Sequence, residues 1–413
     1  MMSAKPTLLV TASTFPRWES DSEPRFVYDL CVRLAETFHV VVLAPHAPGA
    51  ASYERWGQLH IHRYRYAPAA LETLAYEGGI TANLKQHRWK WLLLPGFFFG
   101  QWLALRQLLK TYPVAVIHAH WLIPQGLMAV AATYGKIHKP RLLCTSHGGD
   151  LFGLQDKVSL QLKRWVIKHC DALTVVSHFM VGKVQALAGD TTPPISVIPM
   201  GTDLEHTFVP DPTVHRLPNQ LLFVGRLVEK KGVKYLLQAL QEVSTQRPDT
   251  TLVIAGSGPL QAELESMTQA LGLTQQVTFA GRLEHKALVR LYQESTVAVF
   301  PFVQAKDGDM EGLGLVMVEA MGCGCPVIAS DLPAVRDVVN HRENLCEPAN
   351  PTELAICIQR RLENSSETQG IYWQAQHQAV CKSFGWDNIN SQYQTLIEKI
   401  IDSPAFQEAL PNA

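Results

Sequence analysis

Apolar residues fall in short continuous runs spaced along the chain, at 7–11, 40–43, 113–120, 141–146, 171–177 and 195–199 in the first half. Further runs lie at 220–225, 251–255, 277–280, 297–301 and 326–330 in the second half. A run that is apolar on both sides of the pleat belongs to a strand buried on both faces, as in a parallel sheet. Between the runs the spacing changes: across 24–37, Phe26, Leu30 and Leu34 share one helix face. Strand alternating with helix predicts an α/β fold with parallel sheets and right-handed crossovers. Residues 59–66 alternate apolar with polar, which predicts an edge strand. Glycine, aspartate, proline and threonine crowd 201–218 and mark a domain boundary. The expected domains are therefore 1–200 and 201–380, followed by 381–413 with a helical run over 388–401.

Composition narrows the class. A chain of 413 residues exceeds what one core usually organises, and 47% hydrophobic with 18% charged residues is the balance of a globular enzyme rather than a disordered chain. The eight cysteines sit mostly in apolar runs, and Cys323-Gly-Cys325 lacks the two-residue spacer of a zinc or redox pair. They read as reduced core residues of a cytoplasmic protein. The N-terminus has no cationic region followed by an apolar one, so no signal peptide is expected. The apolar stretch 91–104 is too short to span a bilayer and is interrupted by Pro95, Gly96 and Gly100. Net charge is −1, yet residues 1–200 hold 20 Lys and Arg against 12 Asp and Glu, giving +8 and leaving −9 for the remainder. The first half is thus suited to an anionic partner such as a phospholipid or a pyrophosphate-linked acceptor. The aromatic and basic run 86–106 reads either as a long core helix or as a segment lying on the inner face of a membrane.

The densest chemistry lies in 310–325, between two apolar runs. Gly312 and Gly314 let the backbone pass close to a ligand, and the helix beginning near Leu315 directs free N–H groups at it, a setting that attracts phosphate. Glu311 precedes that helix and Glu319 lies about two turns into it, so the two carboxylates address different parts of one extended ligand. That suits a nucleotide-sugar. Arg226 and Lys231 open the first strand-to-helix connection of the second domain, where two cations converge on phosphate oxygens. Glu319 suits ribose hydroxyls, Glu311 the donor sugar, and Arg282 with Leu283 a platform for the base. In the first half, His120 and His147 end apolar strands, where ligands of open α/β sheets collect. Asp307-Gly-Asp309 invites a metal-binding alternative, and Gly256-Ser-Gly258 a dinucleotide loop, whose third glycine is replaced by Gln261.

The run Glu311-Gly-Leu-Gly-Leu-Val-Met-Val-Glu319-Ala-Met-Gly resembles the signature of the retaining glycosyltransferases of family 4, the glycosyl transferases group 1. Gly225-Arg226-Leu227 with Lys231-Gly232, Gly256-Ser-Gly258, Gly281-Arg282-Leu283, Pro199-Met-Gly-Thr-Asp203 and His147-Gly148-Gly149-Asp150 follow in that family's order. The resemblance implies the GT-B fold: two Rossmann-like parallel-sheet domains facing a central cleft, the first binding acceptor and the second donor, with the C-terminal helix crossing back. It implies transfer of a hexose from a UDP- or GDP-sugar to a hydroxyl of a lipid-linked, glycolipid or polysaccharide precursor. His147 and Glu311 are then the catalytic candidates. Arg226, Lys231, Gly256, Arg282, Leu283, Gly312, Leu313, Gly314, Leu315 and Glu319 are expected to bind donor. Arg17, His120, Gly148 and Asp150 are assigned to the acceptor or sugar side. The family's front-face reaction uses the leaving phosphate to deprotonate the acceptor, so no protein nucleophile is assigned. No metal or cofactor is expected, no nucleic acid, and membrane contact only at the periphery. Where relatives carry a glycine pair after the first strand, this chain has none. A nucleotide-sugar epimerase or a sugar phosphorylase on the same fold is the alternative.

Overall fold

The computed structural model describes residues 5–19, 21, 23–137, 139–363 and 368–403. The chain divides into two compact units. The first comprises residues up to Val176, Met180–Met200 and the chain from Ile389; the second comprises Ser177–Phe179 and Gly201–Asn388.

The first unit is built on an eight-stranded sheet: β1 (Thr7–Thr11), β2 (His39–Pro45), β3 (Tyr53–Trp56), β4 (Leu59–Tyr64), β5 (Val114–His120), β6 (Arg141–Ser146), β7 (Ala172–Val175) and β8 (Ile195–Val197). Their order is β3-β4-β2-β1-β5-β6-β7-β8, parallel throughout except for the antiparallel β3–β4 pair. The edge strand expected at 59–66 is thus an interior strand. A tight turn at Gly57 folds the short β3 back onto it as the true edge, and β3 is too short and exposed to show a pattern in the sequence. The run 86–106 is also not one helix. It divides into Ile80–Gln86, a 3-10 segment Arg88–Leu93 and the helix Leu94–Thr111, which starts at the point where Pro95, having no N–H, fits the first turn.

The second unit carries a six-stranded, wholly parallel sheet: β9 (Gln220–Val224), β10 (Thr251–Ala255), β11 (Val277–Gly281), β12 (Val297–Phe300), β13 (Val327–Ser330) and β14 (Leu345–Cys346), in the order β11-β10-β9-β12-β13-β14. Every residue of β9, β12 and β13 is buried, as strands covered on both faces must be. Leu236, Leu240 and Val243 of the helix Val233–Gln246 and Leu354 and Ile358 of the helix Pro351–Glu363 fill one face against Leu221, Phe223 and Val299. Among the parallel strands of each sheet the order reverses once, between β1 and β5 and between β9 and β12. Ligands of doubly wound sheets sit at the carboxyl ends of the strands beside such a reversal.

The final helix, Trp386–Asp402, starts in the second unit and from Ile389 onward packs in the first. Ile389, Tyr393 and Ile397, one turn apart, are fully buried, and the Tyr393 hydroxyl donates to the Ile198 carbonyl at 3.3 Å. All eight cysteines are free thiols, and seven of them are buried.

Candidate active site

In the second unit, the loops after β9 and β12 flank the strand-order reversal, and side chains from both meet there. Lys231 Nζ lies 2.7 Å from Glu311 Oε2 and 4.3 Å above the ring of Phe302. Next to it, Lys230 binds Asp309 at 3.2 Å and the Met310 carbonyl at 3.3 Å. The two lysines therefore hold the segment leading to Glu311 from the β9 side. Main chain reinforces this: Val303 N–H donates to Lys230 O at 2.9 Å. Gly232, at φ 67°, has no room for a Cβ against the Pro301 carbonyl, so only glycine allows the loops this approach. The loops after β9, β10 and β11 are joined as well, Gly225 N–H donating to Ala255 O at 3.0 Å and Gly256 N–H to Gly281 O at 2.7 Å. Arg226, Gly256, Arg282 and Leu283 all lie on this linked rim, with both arginines exposed.

The helix Leu315–Gly322 begins at Gly314, whose φ of 91° turns the chain abruptly into the helix. Gly312 and Leu313 are buried just ahead of it, and Leu315 opens it. The two carboxylates have opposite electrostatics. Burial raises the Glu311 carboxyl, but Lys231 and Lys230 outweigh it and hold Glu311 below the usual carboxylate range. Burial pushes Glu319 up to about 7, only partly offset by the Tyr292 hydroxyl, which donates to it at 3.1 Å, and by Lys231. Glu311 is thus a fixed anion, while Glu319 titrates near neutrality. Lys230, Tyr292 and Phe302 were not singled out in the sequence. Lys230 was legible beside Lys231, whereas Tyr292 and Phe302 carry no local signal because only packing brings them to the carboxylates.

Asp307 and Asp309 are engaged within the chain, Asp307 accepting from Asp309 N–H at 3.1 Å and Asp309 pairing with Lys230. Among the described residues no group of three or more His, Cys, Asp and Glu side chains is gathered as for a metal ion.

In the first unit, β5 and β6 run in register with His120 opposite Thr145, which brings three histidines together. His120 Nδ1 lies 3.0 Å from His147 Nε2, their rings nearly parallel, and His118 stacks on His120 with ring centres 4.2 Å apart. Trp121 and Phe26 pack on His147 at 4.7 and 5.1 Å. Burial lowers all three: His118 and His147 to about 3, and His120 well below the ordinary value, so the cluster is neutral at pH 7. His120 Nε2 is buried without a hydrogen-bond partner. A buried N–H left unpaired is rarer and costlier than an unpaired acceptor, so the His120 proton sits on Nδ1 and is donated to His147. His147 accordingly carries its own proton on Nδ1.

Three residues assigned to the acceptor or sugar side are engaged within the protein. His120 is fully buried, with its ring against His147. Asp150 is buried in the turn after β6, accepting from Leu122 N–H at 2.7 Å, Ser146 Oγ at 2.9 Å and His147 N–H at 3.2 Å. Its carboxylate thereby holds the turn through Gly148, which has φ 97°. Arg17 is also engaged, gripping Asp21 with two nitrogens at 2.8 and 2.9 Å and lying over the Trp18 and Tyr76 rings.

Two family models match the chain: one described as Glycosyltransferase Family 4, over residues 24–206, and one described as Glycosyl transferases group 1, over 211–378. The glycogen synthase of Mycobacterium tuberculosis is 28% identical over 286 residues, 68% of this chain and 67% of that one. The GDP-mannose-dependent alpha-(1-6)-phosphatidylinositol monomannoside mannosyltransferase of Mycolicibacterium smegmatis is 29% identical over 199 residues, 46% of this chain and 52% of that one. Among solved structures, sucrose-phosphate synthase from Thermosynechococcus elongatus has a TM-score of 0.77 at 24% identity, over 96% of this chain and 99% of that one. Anabaena HepE in complex with UDP and glucose has a TM-score of 0.69 at 16% identity, over 95% of this chain and 100% of that one. These structural likenesses carry the fold.

Proposed function

The chain belongs to the group 1 glycosyl transferases and has their GT-B architecture, and from that premise we propose that it transfers a hexose, with retention at the anomeric carbon, from a UDP- or GDP-sugar to an acceptor hydroxyl. The observation that carries this reading is the meeting of Lys231, Glu311, the helix start at Gly314 and Glu319 beside the strand-order reversal of the second unit. Lys231 and Arg226 with the helix start neutralise the diphosphate. Glu319 takes the ribose hydroxyls and Glu311 the sugar being moved. In the first unit His147, neutral and with its proton on Nδ1, offers a sugar hydroxyl a hydrogen bond without adding charge. The bond from the anomeric carbon to the diphosphate oxygen breaks, one to the acceptor oxygen forms on the same face, and the acceptor proton passes to the departing phosphate.

The acceptor is a glycolipid or polysaccharide precursor, a class supported by the relatives acting on glycogen and on phosphatidylinositol mannosides. Eight free thiols support a reducing compartment, the cytoplasm. The reaction needs no divalent metal, because the lysines, Arg226 and helix dipole supply the positive field. Turnover is expected to persist in EDTA; its loss, restored by magnesium or manganese, overturns that statement. The function itself is tested by incubating the protein with UDP-, GDP- and ADP-sugars and candidate acceptors, following nucleoside diphosphate release and reading the product's anomeric configuration by NMR. Interconversion of the donor sugar without release, or a requirement for free phosphate, overturns the transferase reading.

A further inference from the structure

The helix Leu94–Thr111 has two unlike faces, and the outer one is unsuited to water. Its inner face buries Phe97, Gln101, Leu105 and Leu108. Gly96 and Gly100 lie against the carbonyls of Tyr66 and Arg65 so closely that neither has room for a Cβ, which sets the helix flat on its own unit. At 3.6 residues per turn, the opposite face consists of Phe99, Trp102, Leu103, Arg106 and Lys110. A surface helix ordinarily fills that face with polar residues. Here Phe99 is 62% and Leu103 51% exposed, and the preceding 3-10 segment adds Trp91 at 55% and Leu92 at 82%.

A second element continues the same surface. Ile137, 90% exposed, follows the helix Leu127–Thr133, which packs against Leu94–Thr111. Its neighbour Lys136 is lowered by burial and, beyond that, by the nearby charges of Arg106 and Lys110, so three cations gather at one end of the apolar face. The guanidinium of Arg106 also lies 5.1 Å over the Trp102 ring. The surrounding sequence matches: the 72 residues from Gly78 to Gly149 contain eight Lys and Arg and no Asp or Glu, where the chain's average of 37 acids in 413 residues gives about six.

We propose that this face docks on an anionic bilayer surface, with Trp91, Leu92, Phe99 and Leu103 entering the interface and Arg88, Arg106, Lys110 and Lys136 at the level of the lipid phosphates. The segment Arg88–Thr111 is long and apolar enough to cross a membrane by length and composition, but its inner face is buried in its own unit, so it lies in the interface instead. A second copy of the chain is a poorer occupant: pairing like faces sets the same cations against one another, with no acid in the segment to offset them.

Sedimentation with vesicles tests the docking without any turnover, so its outcome is independent of the transferase reading. The full chain is expected to co-sediment with vesicles containing phosphatidylglycerol and to stay in solution with phosphatidylcholine alone, and salt is expected to weaken binding. Leu92→Gln with Phe99→Gln lowers the partition coefficient by at least about tenfold. Arg106→Gln with Lys110→Gln lowers it by about fivefold per charge and weakens the dependence on phosphatidylglycerol, which Arg88 and Lys136 still sustain. All four positions lie on the exposed face, and an unchanged circular dichroism spectrum shows that each variant is folded. Three results overturn the proposal: no binding to anionic vesicles, binding that both double variants retain in full, or a dimer that the same variants dissociate.

Discussion

Glu311 and Glu319 are chemically the same residue eight positions apart, yet their surroundings give them different work. Glu311 is a permanent anion pinned by Lys231, and Glu319 is a carboxyl near neutrality under the Tyr292 hydroxyl. Glu311→Ala should therefore depress turnover strongly. Glu319→Ala should mainly weaken donor binding, by about 1.5–3 kcal/mol for a lost charged hydrogen bond. Steady-state kinetics on both folded variants separates these effects, and the reverse assignment follows if Glu319→Ala abolishes turnover at saturating donor. The pair was legible in the sequence because its members share one helix and its entry loop. What was not legible was their difference in charge, since it is set by Lys230, Tyr292 and burial, which no local spacing records. His120 illustrates the same point: its place at a strand end suggested a ligand contact, but register with β6 puts it behind His147.

Among the elements, buried parallel strands were the most readable, because a strand covered on both faces must be apolar throughout. The short polar β3 and the two-residue β14 were not, because both are too brief for any period to appear. The connections matter as much as the strands they join. The β9 and β12 loops meet at Gly232, and a methyl group there collides with the Pro301 carbonyl. Gly232→Ala is expected to cost about 2 kcal/mol in stability, from strain at a positive φ and the collision together. It should weaken donor binding too, since Lys231 is the adjacent residue. Urea denaturation with donor titration checks both, and a variant of unchanged stability refutes the account.

For the whole molecule, single buried groups in the two units respond to pH in opposite directions, His118 and His147 in the first and Glu319 in the second. In the first, His118 and His147 titrate at about 3 when folded and at the ordinary 6.5 when unfolded. Below 6.5 the unfolded chain binds protons that the folded unit does not, so stability falls with acid, by up to about 1.4 kcal/mol per pH unit for each histidine. In the second, Glu319 titrates at about 7 when folded against 4.5 when unfolded, so between those values the folded unit holds a proton that the unfolded chain has released. The contribution of Glu319 to stability falls as pH rises across that window, by about 3 kcal/mol in total. Glu319→Gln should abolish that loss, making the variant the more stable protein at pH 8 but not at pH 4. Urea midpoints across pH measure this, and parallel curves for the two proteins exclude the assigned carboxyl.

Because all eight thiols are free, the protein carries its own reporters of which half has opened. Cys31, Cys144 and Cys170 are buried in the first unit, and Cys323, Cys325, Cys346 and Cys357 in the second. Only Cys381 is partly accessible in the folded chain. A brief pulse of an alkylating reagent, followed by peptide mass analysis, therefore timestamps the exposure of each half separately. In mild acid the alkyl mark should appear first on Cys144, and in mild base on Cys346, after correction for thiolate reactivity. A single polypeptide then yields two independent unfolding records without an added dye or an engineered label.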